Sequence, residues 1–423
     1  MVETEEKHSK YFKNFNCWIT DNTIRFDNLT NQRIIPEFIN SINRLVYKFG
    51  HRTIILDFSA ISKVFPFPAV PVSAYIQYFK EKEQIEFQFK DLPPYLRNIN
   101  FSNPKTPSKS STNRYSRILD KIWTFNNGDE VNLLVNGIKS SIRKSIVCET
   151  GILDAIDWGL NEVMDNVIQH SGINKGFVMA QVHQANKSLN VCVFDYGLGI
   201  YNTLKNTEYN PGNAIDAISL CVQEGVTRDK KVGQGNGLWG LYSMVNLNGG
   251  HLTIISGKGG LNFNQKDNKI YSYQDIILLN NENQATNINF HLNLDKNISI
   301  KEALKGYELI DLFVESLENE RGQFIYKISE AASGTGTRQS AIAIKNEILN
   351  IQKQTQKSIT LDFSDIGIIS SSFADELIAK LIVMFGFFQF QNTFKLINMN
   401  STIQAILHRS IGMRFAETYN NEV

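Results

Sequence analysis

The chain has 423 residues, and at roughly 150 residues per domain that length asks for two to four folded units, of which we read three. Hydrophobic residues make up 42% and charged residues 20%, a globular composition that needs no metal or disulfide staple. Lysine and arginine number 43 against 42 acidic residues, a net charge of +1 that gives no global field, so neither nucleic acid nor a membrane surface is expected as a partner.

The opening MVETEEKHSK is charged throughout and lacks the apolar run of a signal peptide. FNCWIT and TIRFD then read as strands, IPEFINSINRLVYKFG as an amphipathic helix, and RTIILDFS as a strand followed by a helix and the strand QIEFQFK. That alternation predicts a small α/β sandwich over 1–100. FSNPKTPSKSSTN has no hydrophobic period, and 101–114 is read as a linker. Cys17, Cys148, Cys192 and Cys221 lie far apart with no C-x-x-C pair, which fits reduced thiols in a cytoplasmic protein.

The central stretch, 115–297, begins with helical EVNLLVNGIKSSIRKSI and a second helix from about Thr150. Ile152, Ile156, Leu160, Val163, Met164 and Val167 form the buried stripe of that second helix. Glu162, Asn166 and His170 step by four along another face, where a solvated surface explains any one of them alone. Strands FVMAQVHQ and LNVCVFD follow. The second ends at Asp195, with Gly197 and Gly199 just beyond. A carboxylate there can accept from an exocyclic amine, and bare glycine backbone lets a flat ligand approach; an ordinary Asp-initiated turn is the plainer reading. In VGQGNGLWGL, Gly233, Gly235 and Gly237 run through Leu238 into a helix, whose first N–H groups favour phosphate, although a flexible loop has the same composition. Strands HLTIIS and TNINFHLNL complete a mixed sheet under a helix layer.

From 305 to 423 the order is strand QFIYKIS, a helix over 337–353, strand SITLDFS, helix FADELIAKLIVMFG, strand TFKLINMN and helix STIQAILHRSIGM. RTIILDFSAI (52–61) aligns without gaps on KSITLDFSDI (357–366), so the two ends read as a duplicated module around a different centre. LIVMFGFF (381–388) is too short to span a bilayer and is read as buried helix.

Taken in order, the Glu162–Asn166 helix, the Asp195 strand end and the glycine run resemble the GHKL nucleotide-binding fold of gyrase, the heat-shock chaperone, histidine kinases and MutL. LDFSDIGIISSSFADEL (361–377) resembles the STAS fold of anti-sigma-factor antagonists. The expected architecture is therefore α/β: a central GHKL (Bergerat-type) α/β sandwich with a mixed sheet, flanked by two smaller STAS-like α/β domains. The resemblance implies ATP and Mg²⁺ as cofactors. It makes Glu162 the general base, Asn166 the Mg²⁺ ligand and Asp195 the partner of the adenine amine, beside Gly197 and Gly199. Gly233, Gly235, Gly237 and Leu238 fall in the lid around the phosphates, with Lys230, Lys231 and Arg228 upstream to neutralise charge. Thr286 matches the threonine that supports adenine, with Ala285 in place of the usual glycine; Tyr196 and Asn236 are bulkier than the pattern.

Sensor histidine kinases carry Asn where this chain has Glu162, and no histidine here sits in a phosphoacceptor motif, which disfavours that activity. Three readings stay open: an ATP-hydrolysing switch acting on protein partners through the STAS-like modules, which leads; a serine/threonine kinase of partner-switching type; and an adaptor without turnover. Antagonist proteins present Asp-Ser-Ser-Gly where this chain has Ser370, Ser371, Ser372 and Phe373, so Ser371 or Ser372 is expected to cap its helix. The aligned Phe65, Pro66 and Phe67 make the N-terminal copy a docking or dimerisation module, and a homodimer is left open.

Overall fold

The computed structural model describes residues 16–111, 118–226, 237–272, 284–306 and 309–421. The chain divides into two compact units, one of 1–112, 117–136 and 157–293, the other of 113–116, 137–156 and 294–423. Among the described residues no helix is long and apolar enough to cross a membrane.

In the first unit β1 (Cys17–Thr20) and β2 (Thr23–Phe26) form a hairpin, and β2, β3 (Thr53–Asp57) and β4 (Glu86–Lys90) run parallel, in the order β1-β2-β3-β4. Parallel neighbours need crossovers, supplied here by α1 (Ile34–Asn43) and α2 (Pro66–Lys82). Helix α1 buries Ile34, Phe38 and Ile42 at four-residue steps. Helix α2 begins with proline in its first turn and is buried on nearly every side from Pro68 to Ile76. One sheet cannot cover such a helix. The second cover is a seven-stranded sheet in the same unit, onto whose strands β6 (Gly176–His183) and β7 (Ser188–Asp195) α2 packs. Tyr75 meets Phe194 edge-on at 5.3 Å between ring centroids, and Phe177, Cys192 and Phe194 share one core with Phe26 and Phe58.

That sheet has the order β10-β9-β8-β11-β7-β6-β5, adding β5 (Trp123–Phe125), β8 (His251–Ser256), β9 (Gly259–Asn264), β10 (Asp267–Ser272) and β11 (Thr286–Asn293). Every pairing is antiparallel, which corrects the expectation of a mixed sheet. The cause is connectivity: β6–β7 and β8–β9–β10 turn straight back, and β11 returns between β7 and β8. Its other face carries α4 (Ile152–His170) and α5 (Gly237–Asn248), preceded by α3 (Gly128–Ser145). At Gly159 a Cβ would stand 3.2 Å from Leu241 and 3.8 Å from Phe290, so the helix lies close on β11.

The segment expected as linker starts as packed chain. Phe101 is buried, its carbonyl accepts from Ser73 Oγ at 2.5 Å, and Gln77 and Lys80 donate to the Ser102 carbonyl. Residues 112–114 lie outside the described residues.

The second unit holds a parallel sheet, β12 (Phe324–Lys327), β13 (Ile359–Asp362) and β14 (Phe394–Ile397). Helix α6 (Arg338–Thr355) is capped by Thr337, whose hydroxyl accepts from Ser340 N at 3.2 Å, and stops at Gln356 in the left-handed region, φ 55°. Then come α7 (371–385, with a π-helical turn at Asp375–Ala379), α8 (Phe387–Thr393) and α9 (Ser401–Asn421). Tyr326, Ile348, Leu361, Phe363, Phe373 and Leu377 form the core. Buried Asp311 sits 2.5 Å from Arg143 and 3.3 Å from Lys139; burial pushes its carboxyl up, but the two cations outweigh that and hold it below the ordinary range. Asn350 accepts from Cys148 N at 2.7 Å and donates to the Arg143 carbonyl at 2.8 Å.

Of the apolar run 381–388, Leu381 and Ile382 are buried, yet Met384 is 60% and Phe388 81% exposed. That corrects the reading of one buried helix. Gly386, at φ 75°, ends α7 and redirects the chain into α8, so the two halves of the run face different surroundings.

Candidate functional site

Asp195 ends β7 and is 5% exposed. Its Oδ1 accepts from Gly197 N at 2.8 Å, and the second oxygen has no hydrogen-bond partner among the described residues. Burial pushes the carboxyl up to about 7, only partly opposed by the Gly197 hydrogen bond. Directly across the ladder stands Thr286, the first residue of β11. Ser256, at the end of β8, ties the rim together: its hydroxyl accepts from Ile200 N at 2.8 Å, donates to the Ala285 carbonyl at 2.9 Å and lies 3.2 Å from Thr286 Oγ1.

Glycine is required where the backbone crosses this rim. A Cβ on Gly197 would collide with the Ser171 carbonyl just after α4, and Leu198 N donates to that same carbonyl at 2.8 Å. Gly199 has φ 78°, and a Cβ there would stand 2.8 Å from Gln284. Tyr196 between them turns away: its ring packs edge-on against Tyr78 of α2, 5.2 Å between centroids. Its bulk is spent in the first module's core.

On α4, Glu162 and Asn166 lie one turn apart and half-buried, and among the described residues neither makes a side-chain hydrogen bond. Burial raises the Glu162 carboxyl and the neighbouring Asp165 adds to it, the environment of a proton acceptor. Gly237, the first residue of α5, presses on Glu162: a Cβ there would strike the carboxylate. Leu238 follows in the first turn of that helix. Lys230, Gly233 and Gly235, with Arg228, Lys231 and Asn236, lie outside the described residues.

The structure thus brings α4, the end of β7, the glycine turn after it, the start of α5 and the paired ends of β8 and β11 to one rim. Chemically it offers a buried acceptor with one open oxygen, a raised acid one turn from an unused amide, and bare glycine backbone beside Asp195 and beside Glu162. Ser256, Ser171 and Asp165 belong to this rim and were not singled out in the sequence. Asp165 had a signal, since it stands between Glu162 and Asn166. Ser256 and Ser171 act through register and backbone, which residue identity does not announce.

In the second unit the helix cap corrects the expectation of Ser371 or Ser372. Ser370 Oγ accepts from Phe373 N at 3.0 Å and contacts Ser372 Oγ at 3.0 Å, which leaves Ser371 exposed. Three successive serines make the cap position ambiguous by one, and buried Phe373 decides it by fixing which turn faces the core.

A family model described as a STAS-like domain of unknown function (DUF4325) matches residues 340–404, from α6 through β13 and β14 into α9. The C-terminal part of the chain is accordingly a STAS-like domain. No curated protein matches the chain.

Proposed function

We propose that the chain is a Mg-ATP-binding ATPase of GHKL type, a nucleotide-dependent switch that acts on protein partners through its STAS-like modules. The observation that carries this reading is the rim itself: Asp195, with one open oxygen, opposite Thr286 in the ladder, and Glu162, one turn before Asn166 on α4, beside the bare backbone of Gly237. In the reading, Asp195 accepts from the adenine amine, with Gly197 and Gly199 allowing the ring to approach. Asn166 holds Mg²⁺ through its side-chain oxygen, and Glu162 takes the proton of the attacking water. Gly233, Gly235 and Lys230 belong to its phosphate lid. The four cysteines, all buried and free with thiols pushed up by burial, support a reduced, cytoplasmic setting.

The test is to incubate the protein with Mg²⁺ and γ-labelled ATP and compare label released with label retained on protein. Release should dominate. Asp195→Asn should weaken ATP binding by calorimetry at a cost of about 1–3 kcal/mol. Glu162→Gln should bind normally and turn over a hundredfold or more slower, a rate loss on the order of general-base catalysis. Unchanged affinity in Asp195→Asn sinks the nucleotide site; an unchanged rate in Glu162→Gln makes that residue a surface acid.

A kinase reading has one observation in its favour. Because Ser370 supplies the cap, the exposed Ser371 hydroxyl can be phosphorylated without opening α7. Stoichiometric label on the protein, absent from Ser371→Ala, would put this reading first.

A further inference from the structure

The second unit contains an open cavity of about 760 Å³ between α7, α8, β14 and α9. Its wall is apolar and aromatic: Ile382, Phe387, Phe390, Phe394, Leu407 and Ile411. Small-molecule sites typically measure about 300–1,000 Å³ and combine such a wall with a few convergent polar groups. The polar groups here are Gln391, Lys395, Gln404 and His408, and no acidic side chain lines the cavity. Lys395 is exposed and takes part in none of the ion pairs of the described residues. Phe387 of the wall is half exposed and meets the 81% exposed ring of Phe388 edge-on at 5.9 Å between centroids.

This lining selects among occupants. A second copy of the chain docking by the same face would bring another Lys395 and no acid to answer it, so the charge disfavours an isologous dimer. A purely apolar ligand would make no use of the cation at Lys395, which would stay in water. An amphipathic carboxylate satisfies both parts, its hydrocarbon body on the phenylalanines and its head on Lys395, with the His408 ring and the Gln391 amide as further hydrogen-bonding groups of the same lining. We infer that this cavity binds a small amphipathic carboxylate, a medium-chain fatty acid or an aryl-alkyl acid, free in solution. The site lies in the STAS-like domain, and the inference stands whether or not the other unit binds nucleotide.

Gly412 offers a clean way to close the cavity. It lines the wall, its φ is not in the left-handed region, and a Cβ there meets nothing within 4 Å, so Gly412→Phe can set a ring on the wall from a Cβ that clashes with nothing, and it adds helix propensity to α9. The experiment is calorimetric titration of the full chain with dodecanoate and, in parallel, dodecanol, with folding of each variant checked by circular dichroism. Expected are saturable binding of dodecanoate, at least tenfold weaker binding of dodecanol, about tenfold loss in Lys395→Gln and no binding to Gly412→Phe. Three outcomes overturn the inference: no dodecanoate binding at millimolar concentration, equal affinity for acid and alcohol with Lys395→Gln unchanged, or a dimer that excludes dodecanoate and is broken by Gly412→Phe, which would assign the face to a second copy.

Discussion

In β3 and in β13 the same residues, LDFS, end a parallel strand in the same way: Asp57 Oδ1 accepts from Ser59 N at 2.9 Å, and Asp362 Oδ1 from Ser364 N at 2.8 Å. Burial raises both carboxyls, and the hydrogen bonds outweigh it in both, leaving Asp57 at about 2 with help from Lys90. The helices that follow share nothing of this. Helix α2 has no charged residue before Lys80 and is buried on both its own sheet and the seven-stranded one. Helix α7 instead buries Glu376 between Lys345 and Lys380 and ties Asp375 to Arg414 at 2.5 Å. A repeated strand-and-turn text sets a repeated local geometry. What the module can cover is decided by the helix after it: an apolar helix makes it part of a larger core, and a charged one closes it on itself.

The strongest way to break this contrast is Tyr75→Ala. Removing the ring that meets Phe194 should destabilise the first unit by about 3–5 kcal/mol, by analogy with large aromatic truncations, while hydrogen exchange in α6 and β13 stays unchanged. Loss of protection in both units alike would show that α2 is not a local anchor.

Next in size, the two units should answer pH with opposite signs. The folded chain holds a proton on Asp195 up to about pH 7 that the unfolded chain releases near 3.8. That stability is full below 3.8 and gone once pH has risen through about 7, so Asp195→Asn, which carries no such titration, should be more stable than wild type at pH 8 by on the order of 3–4 kcal/mol. Denaturant midpoints measured from pH 5 to 8 check it, and parallel curves for the two proteins would refute it.

Glu376 runs the other way. Burial raises its carboxyl but Lys345 and Lys380 outweigh that and hold it below the ordinary range, so its contribution is present at neutral pH and lost as pH falls below that range. Glu376→Ala should cost about 2–3 kcal/mol at pH 7, less than a fully closed pair because Lys380 is 36% exposed, and the difference from wild type should vanish in acid. Smallest is Ser370→Ala, expected to cost about 1 kcal/mol as a lost cap, against no effect from Ser371→Ala, read from thermal midpoints.

Much of the order along the chain was legible because it rests on local periodicity. The strands at LDFS, the start of α6 at Thr337 and the polar step from Glu162 to Asn166 all follow from spacing within one element. The hairpin β9–β10 was missed because GGLNFN and DNKIYS carry the glycines and asparagines of loops, and pairing across the sheet overrides that preference. The second partner of α2 was equally hidden. Its all-round apolarity said that two surfaces were needed, and naming β6 and β7 as the second requires contacts more than a hundred residues away in sequence.

The open oxygen of Asp195 bears on how any ligand there must be measured. A donor that prefers the carboxylate can be accepted only as the held proton departs, and because burial holds that proton to near neutral pH, binding there would expel a fraction of a proton into the buffer. The apparent heat of binding would then differ between phosphate and Tris by that fraction of their ionisation enthalpies. Two titrations in different buffers would thus report on the state of one buried carboxyl.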